Sequence, residues 1–145
     1  MPTRAGAHAD RVQRARELLA TKGRRDQMRY AFEGPTLLDE ALASKVEIEE
    51  LFVLERVFEA HPILSELEAG GTNVFLVDER TAAKLSDLQT PTGLVATTGI
   101  RYATLPEILA RPLSLVLADI NDPGNAGTLL RSAEAFGATG VIFGR

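Results

Sequence analysis

The residues best equipped for chemistry lie together near the carboxyl end, in the run Asp119-Ile120-Asn121-Asp122-Pro123-Gly124-Asn125-Ala126-Gly127-Thr128-Leu129-Leu130-Arg131-Ser132-Ala133-Glu134-Ala135-Phe136-Gly137. An almost wholly apolar stretch, Leu113 to Ala118, precedes it, as expected of a buried parallel strand. The polar turn that follows therefore falls at the carboxyl edge of a sheet, where open α/β folds bind ligands. Asn125 is placed to cap the next helix, and Gly124 and Gly127 let other groups approach the backbone. A helix N-terminus there offers free N–H groups to an anion. Within the helix Ala126, Leu129, Leu130, Ala133 and Phe136 form one apolar stripe, and Arg131 falls nearly opposite its middle, open to solvent, RNA or a ligand. A guanidinium is a poor base, but it grips phosphate through paired hydrogen bonds and steadies negative charge developing on an oxygen. Plainer roles exist for the same residues: Asn125 as a simple cap, and Arg131 in an i,i+3 ion pair with Glu134.

Several other chemistries are excluded. The chain has no Cys, hence no disulfide framework, thiolate metal site or Cys nucleophile. Its two His, His8 and His61, would need carboxylates to complete a metal site; no metal motif, P-loop or dinucleotide fingerprint occurs, and no metal is expected. His61, just before Pro62 near a helix start, reads as structural. No apolar run approaches the roughly 20 residues that span a bilayer, and Met1 to Asp10 lacks a signal peptide's apolar core. The expectation is a cytoplasmic protein with no membrane partner.

The elements that must position these residues come next. The 145 residues are 45% hydrophobic and 25% charged, which are globular values. The net charge of −4 is uneven: residues 1–35 carry +4 and the remainder −8. A basic end on an acidic body suits phosphate contacts at one surface, and a solvated helix face is the plainer alternative. A helix is expected from Ala9 to Thr21, ended by Gly23 and the basic turn Lys22-Gly23-Arg24-Arg25. Strands follow at Met28–Phe32, Leu51–Leu54, Asn73–Val77 and Leu94–Ala96, alternating with helices from Pro35, near His61–Leu67, and over Glu79–Leu88. That alternation implies an α/β fold, a small sandwich on a mixed sheet covered on both faces. The domains are expected at 1–100 and 113–145, with 101–112 as a linker holding a short helix at Leu105–Ala110. The second comprises one βαβ unit, Leu113–Ala118, Ala126–Phe136 and Val141–Phe143, which cannot cover its own strands; docking onto the first sheet is the alternative.

The segment Asp122-Pro123-x-Asn125-x-Gly127-x-x-x-Arg131-x-Ala133-x-x-Phe136-Gly137 resembles the first signature motif of the SpoU (TrmH-like) branch of the SPOUT RNA methyltransferases. Phe32-Glu33-Gly34-Pro35-x-Leu37-Leu38-x-Glu40-Ala41-Leu42 resembles the start of that family's substrate-binding domain, and Thr90-Pro91-Thr92-Gly93 with Leu94-Val95-Ala96 resembles its end. The resemblance implies a ribosomal-protein-like RNA-binding domain followed by the first βαβ unit of a SPOUT (α/β knot) domain. It implies transfer of a methyl group from S-adenosylmethionine to a ribose 2′-hydroxyl of rRNA or tRNA. Arg131 becomes the catalytic residue, Asn125 its active-site neighbour and Glu134 the group that orients Arg131. Lys22, Arg24, Arg25 and Arg29 are the candidates for RNA phosphate contact. Tyr30 and Phe32 share a strand face and serve as core or as stacking platforms. Two further family motifs, a Gly-Ser-Glu-x-x-Gly stretch and a Pro-rich, Ser-Leu-Asn-type stretch, do not occur in the sequence. They build the cofactor pocket in the family, so cofactor-binding residues are unassigned. The expectation is a truncated chain that binds RNA without S-adenosylmethionine and does not methylate, the complete enzyme being a homodimer. The alternative is a non-catalytic RNA-binding module with a vestigial methyltransferase segment. A nucleotide-binding α/β protein is a third reading, but the glycine spacing is wrong for it.

Overall fold

The computed structural model describes residues 2–144. They form two compact units, divided between Arg101 and Tyr102.

The first unit runs β1 (Thr3–Arg4), α1 (Asp10–Glu17), α2 (Thr21–Gln27), β2 (Arg29–Glu33), α3 (Pro35–Ala43), β3 (Glu50–Leu54), α4 (Glu55–Ala60), α5 (Pro62–Ala69), β4 (Asn73–Val77), α6 (Glu79–Leu85) and β5 (Leu94–Gly99). Its five strands lie in the order β1-β4-β3-β5-β2. β1, β4 and β3 are parallel, while β5 runs antiparallel to both β3 and β2. The central strand β3 is buried along its whole length, which explains its unbroken Leu51-Phe52-Val53-Leu54 run. Side chains from both sheet faces fill the core, with Val12, Leu38, Leu64 and Leu85 supplied by the covering helices. The mixed, two-sided α/β sheet expected from the sequence is present.

Three local features differ from the sequence reading. The helix expected over Ala9–Thr21 is two helices, and Gly23 lies inside the second rather than ending the first. The chain leaves α1 through bonds from Leu18, Leu19 and Ala20 back to the carbonyls of Ala15, Arg16 and Glu17. A Cβ at position 23 would sit 2.1 Å from the Glu17 carbonyl oxygen, so only glycine lets α2 begin so close to α1. α4, directly after β3, is a helix beyond the one expected near His61–Leu67. It stops at His61, which is extended (φ −124°, ψ 94°) because Pro62 disfavours the helical conformation before it. β1 is too short to carry any periodicity.

The second unit contains α7 (Leu105–Leu109), β6 (Ser114–Ala118), α8 (Pro123–Ala135) and β7 (Gly140–Gly144), with β6 and β7 parallel. Thr104 and Glu107 form a capping box at the start of α7. The Ile108 carbonyl accepts from Ser114 Oγ at 3.0 Å, which ties α7 to β6. α8 ends in a Schellman motif: Gly137 (φ 80°) and Ala138 donate to the carbonyls of Glu134 and Ala133. No helix among the described residues is long and apolar enough to cross a membrane.

Candidate functional site

The candidate residues fall in two places, one on each unit. On the second unit the turn from β6 into α8 is held by its own side chains. Asp119 adopts φ 57° and accepts from Asn121 Nδ2 at 3.0 Å. Asp122, not Asn125, is the N-cap: its Oδ1 accepts the Asn125 backbone N–H at 2.6 Å. The reason is Pro123, whose fixed φ and missing N–H suit the first helical position, so the helix starts earlier than its apolar stripe suggests. The Asn125 side chain, relieved of capping, is exposed.

Asn125, Thr128 and Arg131 recur at every third residue and climb one side of α8. Thr128 Oγ1 donates back to the Gly124 carbonyl at 2.9 Å and accepts from Arg131 Nη2 at 3.3 Å. The guanidinium thus lies back toward the helix N-terminus, over Gly127, where an added Cβ would touch Nη1 at 3.6 Å. It does not take the i,i+3 ion pair with Glu134, which is exposed on the same helix. An exposed arginine held this way presents its remaining N–H donors to an oxyanion from the side of the helix.

On the first unit the four basic candidates separate. Lys22 and Arg25 are exposed on α2. Arg24 turns inward: Nη1 donates to the carbonyls of Leu18 and Leu19, each at 2.9 Å, and Nη2 to Thr21 Oγ1 at 3.1 Å. It satisfies the open carbonyl end of α1. Arg29 is the most committed, its side chain only 13% exposed, with ion pairs to Glu49 and Glu50 and a bond to Thr97 Oγ1 at 2.8 Å. Glu50, 9% exposed, also holds Arg11 at 2.8 Å, and Arg11 lies over the Phe75 ring. Burial opposes both charges, yet the hydrogen bonds and mutual attraction prevail, raising the Arg29 pKa and lowering that of Glu50. Arg29 braces the sheet, and its donors are not turned to an outside phosphate. Tyr30 and Phe32 are half-buried on β2, ring centroids 6.2 Å apart, between the core and platform roles expected of them. Sequence reasoning missed the Arg11–Glu50–Arg29 cluster because its members are up to 39 residues apart and charge type alone does not reveal a partner.

A five-stranded mixed α/β unit carrying a basic helix, followed by a βαβ unit displaying an arginine from its helix, defines a two-part α/β class. Residues 9–96 match the MRM3-like substrate binding domain. An uncharacterised tRNA/rRNA methyltransferase of Synechocystis is 37% identical over 132 residues, covering 90% of this chain and 48% of that protein. The 23S rRNA (guanosine(2553)-2′-O)-methyltransferase RlmP of Bacillus subtilis is 29% identical, covering 95% and 52%. Among solved structures, an RNA 2′-O ribose methyltransferase aligns with a TM-score of 0.68 at 32% identity, over 99% of this chain and 55% of its own. An AdoMet-bound rRNA methyltransferase of Sinorhizobium meliloti aligns at 0.75 and 28% identity, over 93% and 51%. The chain belongs to the SpoU (TrmH-like) family of RNA methyltransferases and carries its substrate-binding domain. It spans about half the length of the relatives it matches.

The apolar cleft of the second unit does not fit S-adenosylmethionine. This cleft, of about 210 Å³, is walled by Leu113, Leu115, Leu129, Ala133 and Phe136, with hydroxyls from Ser114 and Ser132. Nothing there matches an ammonium, a carboxylate or an adenine edge. Among the described residues no group of three or more His, Asp or Glu is placed to hold a metal ion.

Proposed function

We propose that this chain is the recognition portion and first catalytic motif of an S-adenosylmethionine-dependent RNA 2′-O-ribose methyltransferase, working in the cytoplasm on rRNA rather than tRNA. The observation that carries the reading is the pairing, in one chain, of a substrate-binding domain with Arg131 displayed on the exposed side of α8. In this reading Lys22 and Arg25 contact RNA phosphates. Arg131 steadies the target ribose region by gripping an adjacent phosphate or the negative charge gathering on the 2′-oxygen, with Asn125 on the same side of α8 and Thr128 orienting it in place of Glu134. A guanidinium remains protonated, so its part is electrostatic and it is not the base. The cofactor, and the pairing of subunits into a homodimer, belong to segments that relatives of twice this length carry. The 145 residues alone bind RNA and transfer no methyl group.

Two titrations of the purified chain test this. A 23S rRNA transcript is expected to bind with affinity that falls as salt rises, and S-adenosylmethionine is expected to give no heat of binding. Loss of the first result overturns RNA recognition. Micromolar cofactor binding, or methyl transfer by the chain alone, overturns the division of labour.

A further inference from the structure

The rim of the first unit holds a cleft of about 350 Å³ where β2 begins, β5 ends and the α3–β3 connection passes. Tyr30, Lys45 and Arg101 line it, together with the Thr98–Ile100 backbone. Neither Lys45 nor Arg101 belongs to the basic amino-terminal segment. Three features distinguish this place.

The first is backbone strain. Among the described residues, three non-glycine residues adopt positive φ; of the two in this unit, Lys45 (φ 57°) lines the cleft and Met28 (φ 49°) is hydrogen-bonded through its carbonyl to the lining residue Ile100. Lys45 closes α3 in a Schellman motif, with its N–H on the Leu42 carbonyl and that of Val46 on the Ala41 carbonyl. The same motif at the ends of α5 and α8 uses Gly71 and Gly137. A lysine where glycine is favoured carries a conformational cost that a side chain with a task would justify.

The second feature is charge. Glu49 is taken up by Arg29, leaving Lys45, Arg101 and Glu47 facing outward. Lys45 has no carboxylate partner among the described residues. The Arg101–Glu47 pair, 3.2 Å apart, joins side chains 85% and 77% exposed, so it is weak and readily exchanged for another anion.

The third is continuity. The Ile100 N–H donates to the Met28 carbonyl at 2.8 Å, joining the cleft to the end of α2, where Arg25 is exposed. One aromatic ring sharing a cleft with two exposed cations, next to a basic helix, is the arrangement that seats a base with its flanking phosphates.

We propose that this cleft binds a single-stranded segment of the substrate RNA, with one base against the Tyr30 ring and the neighbouring phosphates on Lys45 and Arg101. The inference rests on the RNA-binding reading of this unit and adds where a strand is held. The test is fluorescence anisotropy of the full chain with a labelled pool of random-sequence single-stranded RNA 20-mers, across a salt series. Tyr30→Ala is expected to weaken binding about tenfold while Tyr30→Phe keeps it. Lys45→Gly is expected to lower the slope of log affinity against log salt by about 0.7, the value of one phosphate contact on a single strand. Because glycine suits φ 57°, the same variant is expected to melt no lower than the parent, which separates lost binding from lost folding. Binding by the parent with unchanged affinity and slope in Tyr30→Ala and Lys45→Gly would overturn the cleft and leave RNA recognition standing. Preference for a 20-base-pair RNA duplex would overturn the single-strand assignment. No binding by the parent would overturn RNA recognition itself.

Discussion

Arg29 and Arg131 carry the same group in opposite settings, and their substitutions should separate stability from function. Arg131 is exposed and its side-chain hydrogen bond goes to Thr128, so Arg131→Ala should change the unfolding free energy by no more than about 0.5 kcal/mol. The matching change in an intact relative should abolish methyl transfer, and normal turnover there would remove Arg131 from catalysis. Arg29→Met leaves Glu50 buried with Arg11 as its remaining basic partner and should cost about 3 kcal/mol in urea unfolding at pH 7. The pH dependence follows from Glu50. Its folded pKa lies below the ordinary 4.5, so its stabilising contribution is complete above that value and is lost as pH falls through the lowered one. The gap between the parent and Arg29→Met should therefore narrow below about pH 4.5. A constant gap would mean that the pair is not the source of the cost. The sequence made Arg131 legible because a helix period and a preceding strand place it without outside help. Arg29 was not legible: its role depends on Glu49 and Glu50, which only the β2–β5–β3 register brings alongside.

At the level of elements, Gly23 and Asp122 are where local rules and packing part company. Helix propensity favours Gly23→Ala by about 1 kcal/mol. The added methyl would meet the Glu17 carbonyl at 2.1 Å, so the variant should instead be less stable, read as a lower melting temperature with no gain in helical circular dichroism. At α8, Asp122→Ala should cost about 1 kcal/mol of protection in hydrogen exchange of the helix's first turns, whereas Asn125→Ala should leave it unchanged. If Asn125→Ala proved the costlier, the cap would have to be reassigned. Long periodic or uniformly apolar segments, such as β3, β4 and α3, could be read from sequence because one face or both must be buried. Boundaries set by a single contact could not: the α1–α2 break depends on Arg24 reaching two carbonyls, and the α8 start on one carboxylate finding one amide.

Across the whole molecule, the two units differ in how much apolar surface they cover. The first buries a sheet between helices, with Leu51, Val53, Leu64, Leu94 and Ala96 almost wholly removed from solvent. The second has two strands, and Phe136, Leu109, Val116 and Phe143 remain between 58% and 83% exposed. Hydrophobic stabilisation scales with the area removed from water, so the second unit has less to set against its ordering entropy. Opening should therefore be subglobal, with residues 102–144 unfolding at a free energy well below that of residues 2–101. Native-state hydrogen exchange reads this directly. Amides of β6 and β7 should exchange through an opening that leaves β3 and β5 protected, and added denaturant should merge the two classes only near the midpoint of the first unit. Equal protection in both sheets at zero denaturant would mean that the exposed faces of the second unit are covered in solution. In that case the same amides should lose protection on dilution if the cover is a second copy of the chain, and keep it if the cover lies within the chain.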